Sequence, residues 1–441
     1  MTGLCAIADF TGPAAGARIN TSCRKWQYFS FRSGRDGCVR TDRVGYDIRM
    51  VHFFDLSRED LEGLLQSWGM PRFRTGQLLK WVYERGVIDP EQFTDFSKAD
   101  RQKLADNLRF ATWRINQHQR ATDGTQKLLL EVGTRNAERG MEKTLDAASS
   151  VAHSAFRVPR FQSTECVMIP ADNAAGGTRR TACISSQVGC PVGCRFCASG
   201  LGGLEANLTA GQIVEQIWQL NSQLGTWNAE RNKQFPVPGS QFPIRITNVV
   251  FMGMGEPLSN FDAVTRAVRT LHADWGFGIS ARRITISTVG VPSSIRRLAD
   301  QIDLPITLAL SLHAPNDELR RKLIPWAEST SVDKLVEACN YYFDKTGREI
   351  TIEYILLRQV NDQVDHARQL AAVTKRMRCN VNLIRYNEVR GLPFNRPDSE
   401  DVHRFQHTLA SAGVNVHIRA SRGRDIAAAC GQLRHEQKTS V

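Results

Sequence analysis

Between Cys183 and Cys197 the chain reads CISSQVGCPVGCRFC, four of its eleven cysteines within fifteen residues. Cys190, Cys194 and Cys197 form a C-x3-C-x2-C unit, and Cys183 stands apart. Three thiolates on one short loop leave a coordination position of a single metal ion open, or leave one iron of a cubane iron-sulfur cluster without a protein ligand, and open positions are where chemistry happens. A structural zinc site usually has four ligands, often as two CxxC pairs, and the chain has no second pair. The spacing favours a reactive centre over a structural zinc.

Other reactive side chains stand where strands end. GMGEP (253–257) follows the apolar run NVVF, so Gly253 and Gly255 can bring the backbone close to a ligand while Glu256 offers an acceptor for an ammonium or a ribose hydroxyl. Ser287 ends the next strand, and Ser311, Leu312 and His313 end the one after. Asn387 follows NLIRY. Cys430 lies near the C-terminus in RGRDIAAAC, after Arg422 and Arg424, whose charge favours a thiolate. For a lone cysteine such as Cys430 or Cys183 the commoner fate is packing, as it is for a lone histidine such as His313.

The elements that must position these groups can be read from periodicity. Ser57 and Asp60 make a helix-capping signal ahead of Leu61, Leu64, Leu65 and Trp68, and a second helix, RTGQLLKWVYERG, follows. Its Arg74, Lys80 and Arg85 beside Trp81 and Tyr83 could grip a nucleic-acid backbone, but an amphipathic helix with its aromatics in the core is the favoured reading. A small helical domain over 53–110 is expected, and the strands KLLLEV and ECVMIP fall in a linking region, 111–175, with an insertion over 134–163. After Cys183, strands and helices alternate: helices at 209–224, 261–272, 292–301, 331–346, 363–377 and 401–412 interleave with apolar strands. Six βα units imply a parallel sheet, either open and doubly wound or curled into a complete or partial barrel, with its site at the strand C-termini.

The balance of 57 Lys+Arg against 45 Asp+Glu gives a formal charge of +12, which suits a polyanionic partner such as nucleic acid. No apolar run is long enough to span a bilayer, and no targeting peptide can be read in residues 1–49, which are expected to be poorly ordered or a mis-assigned extension ahead of Met50. Residues 434–441 read as a tail. A cytoplasmic location and no membrane partner are expected.

C-x3-C-x2-C with an aromatic, Phe196, before the last cysteine is the signature of radical S-adenosylmethionine (SAM) enzymes. Together with CISSQVGC, GMGEPLSNFD, STVGV, LSLHAPND and RGRDIAAACGQL, it makes residues 53–433 resemble the RlmN family of RNA methyltransferases and its relative Cfr. The resemblance implies an α/β fold, a partial (β/α)6 radical SAM barrel over 176–433 with a small N-terminal helical RNA-binding domain. It implies a 4Fe-4S cluster on Cys190, Cys194 and Cys197, two SAM molecules per turnover, and SAM contacts from Gly255, Glu256, Ser287, Ser311, Leu312, His313 and Asn387. In the family's scheme Cys430 is first methylated by one SAM. The cluster then cleaves a second SAM to a radical that activates the methyl group for addition to adenine. Glu165 takes the ring proton, and Cys183 releases methylated RNA by forming a disulfide with Cys430. The implied product is 2-methyladenosine in 23S rRNA and tRNA, with 8-methyladenosine, as in Cfr, the alternative. A flavodoxin or ferredoxin as electron donor and a monomeric state are further expectations. From another class, the chain could be a non-catalytic RNA-binding protein with a structural metal. Cys5, Cys23, Cys38, Cys166, Cys339 and Cys379 match no motif.

Overall fold

The computed structural model describes residues 50–132, 162–172, 178–232 and 245–433. The expectations for residues 1–49, for nearly all of the 134–163 insertion and for the tail 434–441 lie outside the described residues. The elements below all belong to the unit Thr41–Val441.

The chain enters through β1 (Val51–His52) and the helices α1 (Arg58–Ser67), α2 (Phe73–Leu79) and α3 (Lys98–Asn107), and β2 (Leu108–Arg109) returns to pair with β1. The capping box forms as the sequence predicts: Asp60 N donates to Ser57 Oγ at 3.1 Å, and Ser57 N donates to Asp60 Oδ2 at 3.4 Å. The backbone beyond α2 continues as a π turn over Lys80–Glu84, which turns Trp81 and Tyr83 into a core shared with Phe53, Phe93 and Phe110. The aromatics of this helix are therefore packing residues, and Arg85 lies 4.0 Å over the Trp81 ring.

Next come β3 (Trp113–Arg120), β4 (Gln126–Val132), β5 (Ser163–Asp172) and β6 (Thr178–Cys183). A short pair, β7 (Gln187–Gly189) and β8 (Leu204–Asn207), brackets the cysteine loop. The repeating part follows: α4 (Ala210–Asn232), β9 (Asn248–Phe251), α5 (Phe261–His272), β10 (Ile284–Thr288), α6 (Pro292–Gln301), β11 (Thr307–Ser311), α7 (Asp317–Leu323), α8 (Val332–Thr346), β12 (Ile350–Leu356), α9 (Val364–Thr374), β13 (Cys379–Arg385), α10 (Ser399–Ser411) and β14 (Val416–Arg419).

Ten strands form one sheet in the order β14-β13-β12-β11-β10-β9-β6-β5-β4-β3. From β6 through β14 the pairing is parallel, and from β6 back to β3 it is antiparallel. The sheet is open at β14 and β3, yet every parallel strand contributes to the wall of a single cavity of about 480 Å³. A flat doubly wound sheet could not do this, so the sheet curls into the expected partial barrel. The strands KLLLEV and ECVMIP are β4 and β5, paired directly into the barrel sheet. Among the described residues no helix is long and apolar enough to cross a membrane.

Candidate active site

The cysteine loop is held by its own backbone. Cys190 N donates to Gly203 O at 2.9 Å, Cys197 N to Cys194 O at 3.1 Å, and Arg195 N to Leu323 O at 3.0 Å. Gly189 has φ +72°, and a Cβ there would lie 2.0 Å from Gly203 O, so only glycine lets β7 and β8 close. All three thiols line a cavity of about 150 Å³ at the C-terminal ends of the parallel strands, together with Gly255, Glu256, Ser287, Ser311 and His313.

Burial pushes the Cys190 thiol up to about 12 and holds Cys194 and Cys197 above the ordinary thiol range, and neighbouring thiolates repel one another. A cationic group bound among them would reverse that balance. Among the described residues no three His, Cys, Asp or Glu side chains could hold a single metal ion. The three thiols lie on one short loop and line one cavity, a donor set that suits a cluster with one iron left without a protein ligand.

Glu256 is buried, with Oε2 accepting from Val289 N at 2.8 Å and Oε1 from Leu258 N at 3.0 Å. Burial raises its carboxyl above the usual carboxylate range, against those two bonds and Thr288. The glycines before it have a second reason to be glycine: a Cβ on Gly255 (φ +103°) would sit 2.7 Å from Gln187 Cβ, and one on Gly253 2.7 Å from Ile184 O. Ser287 and Ser311 are 3.1 Å apart through their hydroxyls. His313 has φ +58°; its Nδ1 accepts from Ile355 N at 3.1 Å, which leaves Nε2 as the protonated nitrogen. Burial, then the charge of Arg320, lowers its pKa to about 3, so the ring is neutral.

Leu312 points elsewhere: its side chain is in the main core, and its N–H donates to Glu353 O at 3.1 Å. Asn387 lines the larger cavity, donating from Nδ2 to Cys430 O at 3.3 Å and accepting from Arg396 at 3.2 Å.

Cys430 is one of five residues, with Met252, Glu353, Ile384 and Arg419, that face both cavities. Its segment is clasped by the cysteine loop, where Ala198 N donates to Gly431 O at 2.8 Å and Ser199 Oγ to Leu433 O at 2.7 Å. Cys183, the last residue of β6, lines only the larger cavity, and both thiols are free. Glu165 lies on β5 and lines neither cavity. It is buried, and its Oε1 is 2.9 Å from the ammonium of Lys127. Lys127, Val167, Cys183 and Val250 occupy one cross-strand row, and Glu165, two residues before Val167, shares its face.

Sequence reasoning missed Arg419, Glu353 and Lys127. Arg419 Nη1 is 3.0 Å from Glu353 Oε2, and Asn382 Nδ2 donates to Glu353 Oε1 at 3.0 Å. The available signal was a charge inside an otherwise apolar strand: Glu353 in ITIEYIL, Arg419 ending VHIR, Lys127 opening KLLLEV.

Residues 51–109 match the family model described as ribosomal RNA large subunit methyltransferase N-terminal domain, and residues 241–371 match the radical SAM superfamily. The dual-specificity RNA methyltransferase RlmN of Bdellovibrio bacteriovorus is 38% identical over 383 residues, covering 87% of this chain and 84% of its own. A probable dual-specificity RNA methyltransferase RlmN from Salinibacter ruber is 40% identical over 396 residues, covering 89% and 96%.

The chain belongs to the RlmN family.

A crystal structure of a radical SAM methyltransferase from Sphaerobacter thermophilus superposes with a TM-score of 0.74 at 37% identity, over 87% of this chain and 99% of that one. The radical SAM superfamily to which RlmN belongs uses a 4Fe-4S cluster and SAM. In this RlmN family member the three-thiol wall, the buried Glu256 and the neutral His313 of the smaller cavity suit that pair of groups.

Proposed function

We propose that this chain methylates carbon 2 of an adenosine in 23S rRNA, and in tRNA, through a methyl group carried on Cys430. The observation that carries the reading is the position of Cys430 on the wall between two cavities, one lined by Cys190, Cys194 and Cys197 and the other by Cys183. A methyl carrier needs that placement, because it must meet the cofactor on one side and the acceptor base on the other.

The cysteine loop would hold the cluster, and Gly255, Glu256, Ser287, Ser311 and His313 would hold SAM. When bound, the reduced cluster and SAM supply an oxidant strong enough to remove a hydrogen atom from an unactivated carbon. The protein's own groups would do the rest. The Cys430 sulfur accepts the methyl group and later holds the base through the former methyl carbon; Glu165 removes the ring proton, and the Cys183 sulfur attacks that of Cys430, breaking its bond to that carbon, which takes up a proton as the S–S bond forms and the RNA leaves. The donor that reduces the cluster would be a flavodoxin- or ferredoxin-type system, and a two-electron dithiol reductant would restore both thiols.

The test is mass spectrometry of RNA incubated with anaerobically reconstituted protein, SAM and a reductant. Wild type is expected to yield 2-methyladenosine, and C183A to accumulate a protein–RNA crosslink through Cys430. The names of the relatives favour carbon 2. A product methylated at carbon 8 would replace the carbon-2 assignment, and no product from a cluster-loaded wild type would remove RNA as the substrate.

A further inference from the structure

The segment Ala420–Leu433 that carries Cys430 is held at both ends. Downstream the cysteine loop clasps it, as described above. Upstream it meets the turn between β3 and β4, 300 residues away in sequence. Gly423 N donates to Asp123 Oδ2 at 3.0 Å, and in return Thr122 N donates to Asp425 Oδ2 at 2.9 Å. Each segment thus gives one carboxylate to the other's backbone, an arrangement of charge-assisted bonds stronger than neutral ones. Lys127 Nζ adds a third contact, donating to Ala427 O at 3.3 Å.

The turn is built for this. Ala121 N donates to Thr125 O at 2.8 Å and Gly124, with φ +81°, donates to Ala121 O at 3.1 Å, which closes a tight hairpin. Thr125 N donates to Asp123 Oδ1 at 3.0 Å, leaving Oδ2 to face the C-terminal segment. Burial works against ionisation of Asp123, but the bonds from Thr125 and Gly423 and the charge of Arg422 hold its carboxyl below the usual range.

The segment in turn needs an anchor. Gly423 has φ +65° and Ala427, which is not glycine, has φ +49°. A left-handed alanine is strained and persists only where surrounding contacts over-determine it. The approach at Gly423 is close enough that a Cβ would lie 2.8 Å from Thr125 Cγ2.

We propose that the β3–β4 turn sets the position of Cys430, with Asp123 and Asp425 as reciprocal positioning residues. Its relevance to methyl transfer rests on the reading of Cys430 given above, whereas the anchoring itself does not.

The experiment is peptide-resolved hydrogen exchange over 421–430, with peptide-resolved iodoacetamide labelling of Cys430, on the full chain and its D123A, D123N and D425A variants. Cys339, fully buried in the main core, serves as internal control. D123A and D425A are each expected to raise exchange of the segment and labelling of Cys430 about tenfold, with Cys339 unlabelled. D123N keeps one carbonyl oxygen and is expected to fall between wild type and D123A. In the cluster-loaded enzyme the same variants are expected to slow product formation at saturating RNA while KM for RNA stays within twofold. Unchanged exchange and labelling in both alanine variants, or a rise matched at Cys339, would overturn the proposal. Failure of wild type to methylate RNA would remove the functional reading and leave the exchange result standing.

Discussion

The ammonium of Lys127 lies 2.9 Å from Oε1 of Glu165, and the two side chains are only 9% and 7% exposed. A pair this deep is costly to break from one side, because the surviving charge stays buried without its partner. K127M is therefore expected to destabilise the protein by about 3–5 kcal/mol, while K127M/E165Q, which removes both charges, recovers most of that loss. Denaturant unfolding of the two single variants and the double variant closes the cycle.

E165Q alone tests the proposed role of the carboxylate as the base. It is expected to leave transfer of a methyl group to Cys430 intact and to block release, so that protein–RNA crosslink accumulates on denaturing gels. Clean turnover at the wild-type rate would reassign the base.

His52 predicts a pH dependence of opposite sense to that of acid unfolding. Its Nε2 is 3.2 Å from Glu215 Oε2 and its Nδ1 3.4 Å from Asp55 Oδ2, which joins the helical domain to α4. Burial lowers its pKa, but the nearby carboxylates of Asp55 and Glu215 outweigh burial and raise it above 6.5. The folded state then binds more protons than the unfolded one above pH 6.5, so stability falls as pH rises through the raised value. The contribution is fully present below about pH 6.5 and is lost on the alkaline side. H52Q should flatten the unfolding midpoint measured between pH 6 and 9.

Two glycines should respond to alanine with opposite sign. Gly255 has φ +103° and no room for a Cβ, so G255A is expected to cost about 1–3 kcal/mol. Gly63 is an exposed position within α1 where a Cβ meets nothing within 4 Å, and G63A is expected to gain about 0.5–1 kcal/mol. Thermal unfolding of both variants reads the signs directly.

Arg419 makes a prediction about reactivity. Burial pushes the Cys183 thiol up to about 12, the neighbouring Cys430 adds to that, and the charge of Arg419 works against it. R419M is expected to slow alkylation of Cys183 at pH 9 several-fold, followed peptide by peptide; an unchanged rate would mean that the guanidinium serves Glu353 alone.

Much of this was legible beforehand because it depends on local pattern. The buried parallel strands are near-continuous apolar runs, and α1 and α4 begin at side-chain caps that the sequence spells out. The cysteine loop declares its chemistry by spacing. What escaped depends on pairing between distant segments. β3, WRINQHQR, is mostly polar and lies at the edge of the sheet, so its alternation is faint, although Asp123-Gly124 is a hairpin signal. β14 is short and half-exposed at the other edge, and α7 has seven residues with three cations. By sequence the glycines of GMGEP make room for a ligand; the structure adds that they make room for Ile184 and Gln187. Lys127 and Arg419 gain meaning only from carboxylates that folding brings to them.

The three antiparallel strands β3–β5 continue the barrel sheet as a wing. The groups lining the smaller cavity belong to the barrel and its loops, whereas Lys127, Glu165 and the turn that grips the Cys430 segment all belong to the wing. Duties are thereby divided along a line of backbone hydrogen bonds between β5 and β6. On the proposed reading, the wing can be retuned by mutation, changing how the RNA base is met, while the thiol-lined cavity of the barrel stays as it is.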